Sequence, residues 1–282
     1  METSKESPLK KFKRQPKIFI DLPSQGRYTK SGTIDGDVYT QLAVYSMTPS
    51  DEILFKTPDA LINGEATANN ISNCVPSILD PWDLPTIDLD TILIGIRMAT
   101  YGSKMSVQSK CPHCQQSNSY EIDLQNLLNH YAACEYKDTI SLDRFTIKTK
   151  PLTYRQLTEN QKKSVQFQRA ISQQVPMIKD EEEKNKVTDT ILTEVAKEGI
   201  KIVFDNIEYV EVDGERETDR NEIMEFMNGS DVWMYKAVKS HLETNSAQWR
   251  TPSQTVQCGN DECKKDHKIF ISLDQSDFFG LG

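Results

Sequence analysis

The sequence predicts an α+β chain, predominantly helical with short strands, in which a ribbon built on four cysteines is split by a helical insertion. Three observations lead there. Cysteines occur as two tight pairs far apart in the chain, Cys111-Pro112-His113-Cys114 and Cys258-Gly259-Asn260-Asp261-Glu262-Cys263. Each pair follows a short run ending in Val-Gln and precedes an alternating segment, Ser119 to Leu124 and Lys268 to Leu273, whose two-residue period reads as strand. Between the pairs, apolar residues recur mainly at helical spacing over long polar stretches.

Thiolates two or four residues apart on a tight turn can aim both sulfurs at one ion, and two such turns complete a tetrahedral site. The expected metal ligands are therefore Cys111, Cys114, Cys258 and Cys263, and the expected cofactor is a structural Zn2+. Four sulfurs leave no position open for water, which argues against a metalloenzyme. A redox CxxC requires a thioredoxin-like βαβ setting, and none surrounds Cys111. Paired disulfides require an oxidising compartment, whereas no apolar signal segment opens the chain and Cys74 and Cys134 remain as separate thiols. His113 and His267 are alternative ligands, although His113 lies between two better-placed sulfurs and reads as a turn residue.

In chain order, residues 1–17 form a basic tail expected to be flexible. Six basic residues stand there against Glu2 and Glu6, a local +4 in a chain of net charge −9, which leaves −13 on the remainder. Residues 18–106 are expected to form an N-terminal α+β partner-binding region. Ile18-Phe19-Ile20 favours extended backbone, Pro23 keeps Leu22 out of helix, and Gly26 permits a turn. Val38 to Tyr45 reads as a strand after an Asp35-Gly36 turn. Thr48-Pro49 and Thr57-Pro58 start short helices at 49–55 and 58–63, with Gly64 stopping the second. Residues 65–78 carry Ile71, Cys74, Val75 and Ile78 on one helical face. After the Asp80-Pro81 to Pro85 break, a strong apolar helix runs from about 87 to 101 and ends at Gly102.

Segments 107–129 and 252–282 make the split ribbon, and 130–251 the mainly helical insertion. Within the insertion a strand pair is expected at 140–148, a helix capped by Thr153 and closed by Pro176, and a long acidic helix at 179–206. A strand follows at 208–212, then helices at 219–228 and 231–244 with Ser230 capping the second. Trp233, Tyr235 and Trp249 read as core fillers. Phe278-Phe279 near the end must dock, on the ribbon or on a neighbouring subunit.

Composition excludes several functions. The hydrophobic fraction is 37%, and no apolar run approaches the roughly 18 residues of a membrane span. An acidic body repels phosphate backbones, so nucleic acid is an unfavourable partner. Lys110, Lys264, Lys265 and Lys268 flank the cysteines and leave open a regulator that grips nucleic acid or a polymerase. No Gly-rich phosphate loop, GxSxG elbow, HExxH helix or EF-hand loop is present, and the four histidines have no triad-like context, so no catalytic residue is assigned.

Ile20-Asp21-Leu22-Pro23-Ser24-Gln25-Gly26-Arg27-Tyr28, Met47 to Leu54, Pro58 to Gly64, the helix near 87–101 and Cys111-Pro112-His113-Cys114 together resemble the baseplate hub protein family of T-even-type contractile-tail bacteriophages. The resemblance implies a hub subunit or hub assembly factor that works through protein contacts with other baseplate or tail proteins. It implies residence in the virion tail baseplate, or in the host cytoplasm during assembly, and allows an oligomer within the baseplate. Asp21, Leu22, Pro23, Tyr28, Phe278 and Phe279 are the expected partner-binding residues.

Overall fold

In a computed structural model the described residues are 14–55, 63–273 and 278–279. The helix expected at 58–63, most of the basic tail and the final three residues lie outside them. Helices and strands are mixed, and the strands form three separate two-stranded sheets and one of four strands.

The first layer is laid down on one apolar helix. Strands β1 (Ile18–Ile20) and β2 (Leu42–Val44) pair antiparallel. They pack on α3 (Thr86–Tyr101), against Gly95, where a Cβ would stand 3.1 Å from Ile20. Helices α1 (Pro49–Phe55) and α2 (Glu65–Cys74) flank it. Thr48 and Asp51 cap α1 reciprocally, the Asp51 carboxylate accepting from the Thr48 amide at 2.7 Å.

Two expectations are corrected here. The strand expected at 38–45 is only Leu42–Val44, because Asp35–Asp37 coils into a 3-10 turn and Asp37 and Gln41 take positive φ. The helix expected to reach residue 78 ends at Cys74, since Pro76 drives Val75 to φ −130°. Gly64 begins α2, at φ +79°, with a Cβ position only 2.9 Å from Thr158 and the Tyr154 hydroxyl; the helix it is expected to stop lies outside the described residues.

Hairpin β3 (Lys104–Lys110) and β4 (Ser117–Asp123) follows α3, with Lys104 opposite Asp123 and Lys110 opposite Ser117. Helix α4 (Leu124–Ala133) folds back against α3, its first turn capped by Asp123. At the far end of the chain β9 (Gln254–Gln257) and β10 (Asp266–Ile269) form a second antiparallel hairpin. Val107, Tyr120, Val256, Ile269 and Ile271 join the same core as α3, so both hairpins rest on the N-terminal layer.

The intervening segment has its own core around Ile147, Phe204, Val210, Ile223, Met234 and Val238. Strands β5 (Thr139–Leu142), β6 (Phe145–Thr149), β7 (Ile207–Val212) and β8 (Glu215–Glu217) form an antiparallel meander. Helix α5 (Tyr154–Arg169) has a Thr153–Gln156 capping box, as expected for Thr153. It continues through a π turn at Ala170–Gln174 and a 3-10 turn at Val175–Met177 into α6 (Glu181–Asp205). Asp180 caps α6, and Glu181, Glu182 and Glu183 complement its positive end.

Helices α7 (Arg220–Gly229) and α8 (Val232–Gln248) complete this layer. Ser230 does not cap α8: its hydroxyl donates to Met227 O and closes α7, while Asp231 occupies the N-cap of α8. Of the three aromatics expected in the core, Trp249 stacks on Tyr131 and Tyr235 packs beside Phe204. Trp233 is exposed, because it lies on the outer face of the first turn of α8. Among the described residues no helix is long and apolar enough to cross a membrane.

Candidate metal centre

The two hairpins present their turns to each other, and the four sulfurs meet there. Cys111 to Cys263 is 3.9 Å and Cys114 to Cys258 is 3.6 Å, and all four sulfur atoms lie within 4.8 Å of one another. A tetrahedron with Zn–S bonds near 2.3 Å has edges of about 3.8 Å, so this spacing fits one ion at its centre. Cys111 and Cys258 are buried; Cys114 and Cys263 are partly exposed. None is in a disulfide.

Local sequence explains why each turn has this shape. At the first, the Cys111 amide donates to Gln116 O at 2.9 Å and the Gln115 amide to Cys111 O at 2.8 Å. At the second, the Cys258 amide donates to Lys265 O, and the Cys263 and Lys264 amides both reach Asn260 O, all at 3.0 Å. The residue after the second cysteine is left-handed in both turns, Gln115 at φ 61° and Lys264 at φ 44°. The chain therefore makes the same reversal twice, with four residues between sulfurs in the second turn where the first has two.

Backbone dipoles already favour charge at this point. Burial opposes ionisation of Cys111, but the amides of Cys114 and His113 aimed at its sulfur prevail and bring the thiol down to about 6. The Asn260 amide favours the Cys258 thiolate, yet burial and the neighbouring sulfurs hold that thiol up at about 11. Four sulfurs this close repel one another as anions, and a divalent cation is what relieves that repulsion. The donor set and its spacing thus fit a metal ion.

Several contacts around the sulfurs were not readable from the sequence. The Asn118 amide nitrogen donates to Gln116 O at 3.1 Å and reaches the Cys258 sulfur at 3.6 Å, bridging the two hairpins. Gly259 gives it room, since a Cβ there would stand 3.0 Å from the Asn118 oxygen. His267 is not among the clustered ligands; its Nε2 lies 3.4 Å from the Tyr120 hydroxyl, and the two rings meet edge to face. His113 is an exposed turn residue. Lys110, Lys264, Lys265 and Lys268 are all exposed, and Lys264 pairs with Asp261 at 3.2 Å.

The expected partner-binding residues fall differently. Asp21 is exposed and accepts from the Gln41 amide at 2.7 Å, while Pro23 and Tyr28 are half-buried. Tyr28 donates to Asp138 and meets Tyr136 edge to face. Leu22 is a core residue at 1% exposure. Phe278 and Phe279 are both 1% exposed, packed in this chain's own core. Arg97 donates to Phe278 O and places its guanidinium 5.1 Å from the Phe278 ring centroid.

The scaffold mixes helix and strand, and on it two distant cysteine pairs converge in one knot. Compared with protein families, the chain matches the T4 bacteriophage base plate protein family over residues 39–280. The chain belongs to that family. The match takes in the whole segment between the cysteine pairs. Searches among curated proteins and among solved structures find no match. Family membership supports a structural or assembly role in the phage tail baseplate, with other tail proteins as partners.

Proposed function

We propose that this protein is a component of the baseplate hub, or a factor that assembles the hub, acting through protein contacts on a scaffold stapled by zinc. The baseplate part of this reading rests on the family match across residues 39–280. The staple rests on one observation, the convergence of Cys111, Cys114, Cys258 and Cys263 within 4.8 Å although the two pairs are some 150 residues apart in sequence. Bound zinc would supply no chemistry beyond holding the two turns together, and the four thiolates would leave it no exchangeable position.

What the staple does for assembly follows from the chain's topology. It closes loops of 144 and 152 residues, so the N-terminal layer and the C-terminal hairpin keep one geometry while partners dock. Structural zinc contributes on the order of 10 kcal/mol of apparent folding free energy in small zinc modules. Sedimentation of baseplate subcomplexes from infected cells tests the reading. Wild-type protein is expected to migrate with hub-sized particles, and a Cys111→Ser, Cys263→Ser double variant to fall to the top of the gradient. Wild-type protein that never migrates with baseplate material would contradict the assembly role.

A further inference from the structure

Strand β1 is hydrogen-bonded on one side only: among the described residues it pairs with β2 and with nothing else. Its other edge opens into a groove of about 240 Å3. Four consecutive residues, 18 to 21, line that groove, which means the backbone edge forms the wall rather than one face of side chains. The opposite wall is α4, through Leu128 and Ala132, and the floor is α3, through Thr91 and Met98.

Two features of this groove lack a partner among the described residues. An edge strand leaves every second pair of amide and carbonyl groups directed away from its neighbour. Thr91, at 4% exposure, has a buried hydroxyl with no hydrogen-bond partner, and it lines the same space. Buried polar groups are rarely left so. An extended peptide laid along β1 would pair the free amides and carbonyls and pass directly over Thr91.

We propose that this groove receives an extended segment of a neighbouring baseplate chain as an added strand on β1, with a basic residue of that segment set against Asp21. Strand addition of this kind takes its affinity from main-chain hydrogen bonds and its specificity from alternate side chains. Among the described residues Asp21 is the one ionisable group lining the groove, and the body beyond the first 17 residues carries −13, so the complementary segment is neutral to basic. A second copy of this chain does not fit. Its own β1 is recessed beside its own α4, and edge-to-edge pairing at about 4.8 Å would drive two helices of about 10 Å diameter into each other.

The proposal builds on the assembly role, yet the two fail separately, because the groove is tested on isolated full-length protein with synthetic peptides and the role by sedimentation. The probe is an array of capped ten-residue peptides of randomised sequence. Wild-type protein is expected to retain peptides rich in β-branched residues with one Lys or Arg, and, when they bind, to protect from hydrogen exchange those amides of 18–21 that point away from β2. Ala132→Trp fills the groove from an exposed helix position and should weaken those peptides at least tenfold at unchanged melting temperature. Asn129→Trp, also exposed and one turn earlier on the same wall, replaces it if the first variant melts lower. Asp21→Asn should reduce the preference for basic over neutral peptides several-fold. The proposal is overturned if the array retains nothing, or if retained peptides bind the groove-filled variant equally. It is likewise overturned if the amides of 18–21 that point away from β2 are already protected in the free protein, or if the protein is a dimer that Ala132→Trp dissociates.

Discussion

Asp88 is fully buried under the turn made by Leu22 to Gly26 and accepts from the Ser24 amide at 2.8 Å and the Ser24 hydroxyl at 2.6 Å. Burial pushes its carboxyl from 3.8 up to about 6 in spite of those two donors. A carboxyl whose pKa folding raises favours the folded state more when protonated, so its contribution grows as pH falls through about 6 and is complete below its unfolded value. Asp88→Asn keeps an acceptor and removes the titration. Between pH 7 and pH 4 the wild type should gain stability over Asp88→Asn by about 2 kcal/mol, read from denaturant midpoints; parallel curves would contradict the assignment. At Gly26, φ is +77° and a Cβ would overlap the Tyr39 ring. Gly26→Ala should therefore cost about 2 kcal/mol or more in thermal or denaturant unfolding. Local sequence announced the turn through Pro23 and Gly26, but the Ser24–Asp88 contact spans 64 residues and no periodicity encodes it.

At the scale of elements, the signals that could be read were short-ranged. Helix α3, the Thr153 cap, α6 and both cysteine turns follow from capping chemistry, apolar spacing and ligand spacing within a few residues. Signals that compete locally were harder: the β-branched and aromatic run from Val38 promised a longer strand than the positive φ values at Asp37 and Gln41 allow. The Phe278-Phe279 element shows the limit most clearly. Two adjacent aromatics demand burial, but sequence leaves open whether the site is internal, and here it is the surface of α3 beside Arg97. The double substitution Phe278→Ala, Phe279→Ala should destabilise the isolated protein by several kcal/mol, at about 3–5 kcal/mol for each buried ring. Unchanged unfolding of the isolated chain would instead return those rings to a role at an interface.

For the whole molecule, the decisive fact is that the first and last hairpins share one core and one knot of sulfurs, while the segment between them folds around a second core. Chelation should then loosen the hairpins before it melts the sheet of β5 to β8, seen as hydrogen exchange rising first at 104–123 and 254–269. The central claim is that Cys111, Cys114, Cys258 and Cys263 together hold a single zinc ion. X-ray absorption at the zinc edge, on full-length protein purified without added metal, tests it most directly. The account predicts one zinc per chain in a shell of four sulfurs at about 2.3 Å. A protein that folds and assembles without metal, or a zinc shell containing nitrogen or oxygen in place of a sulfur, would contradict it.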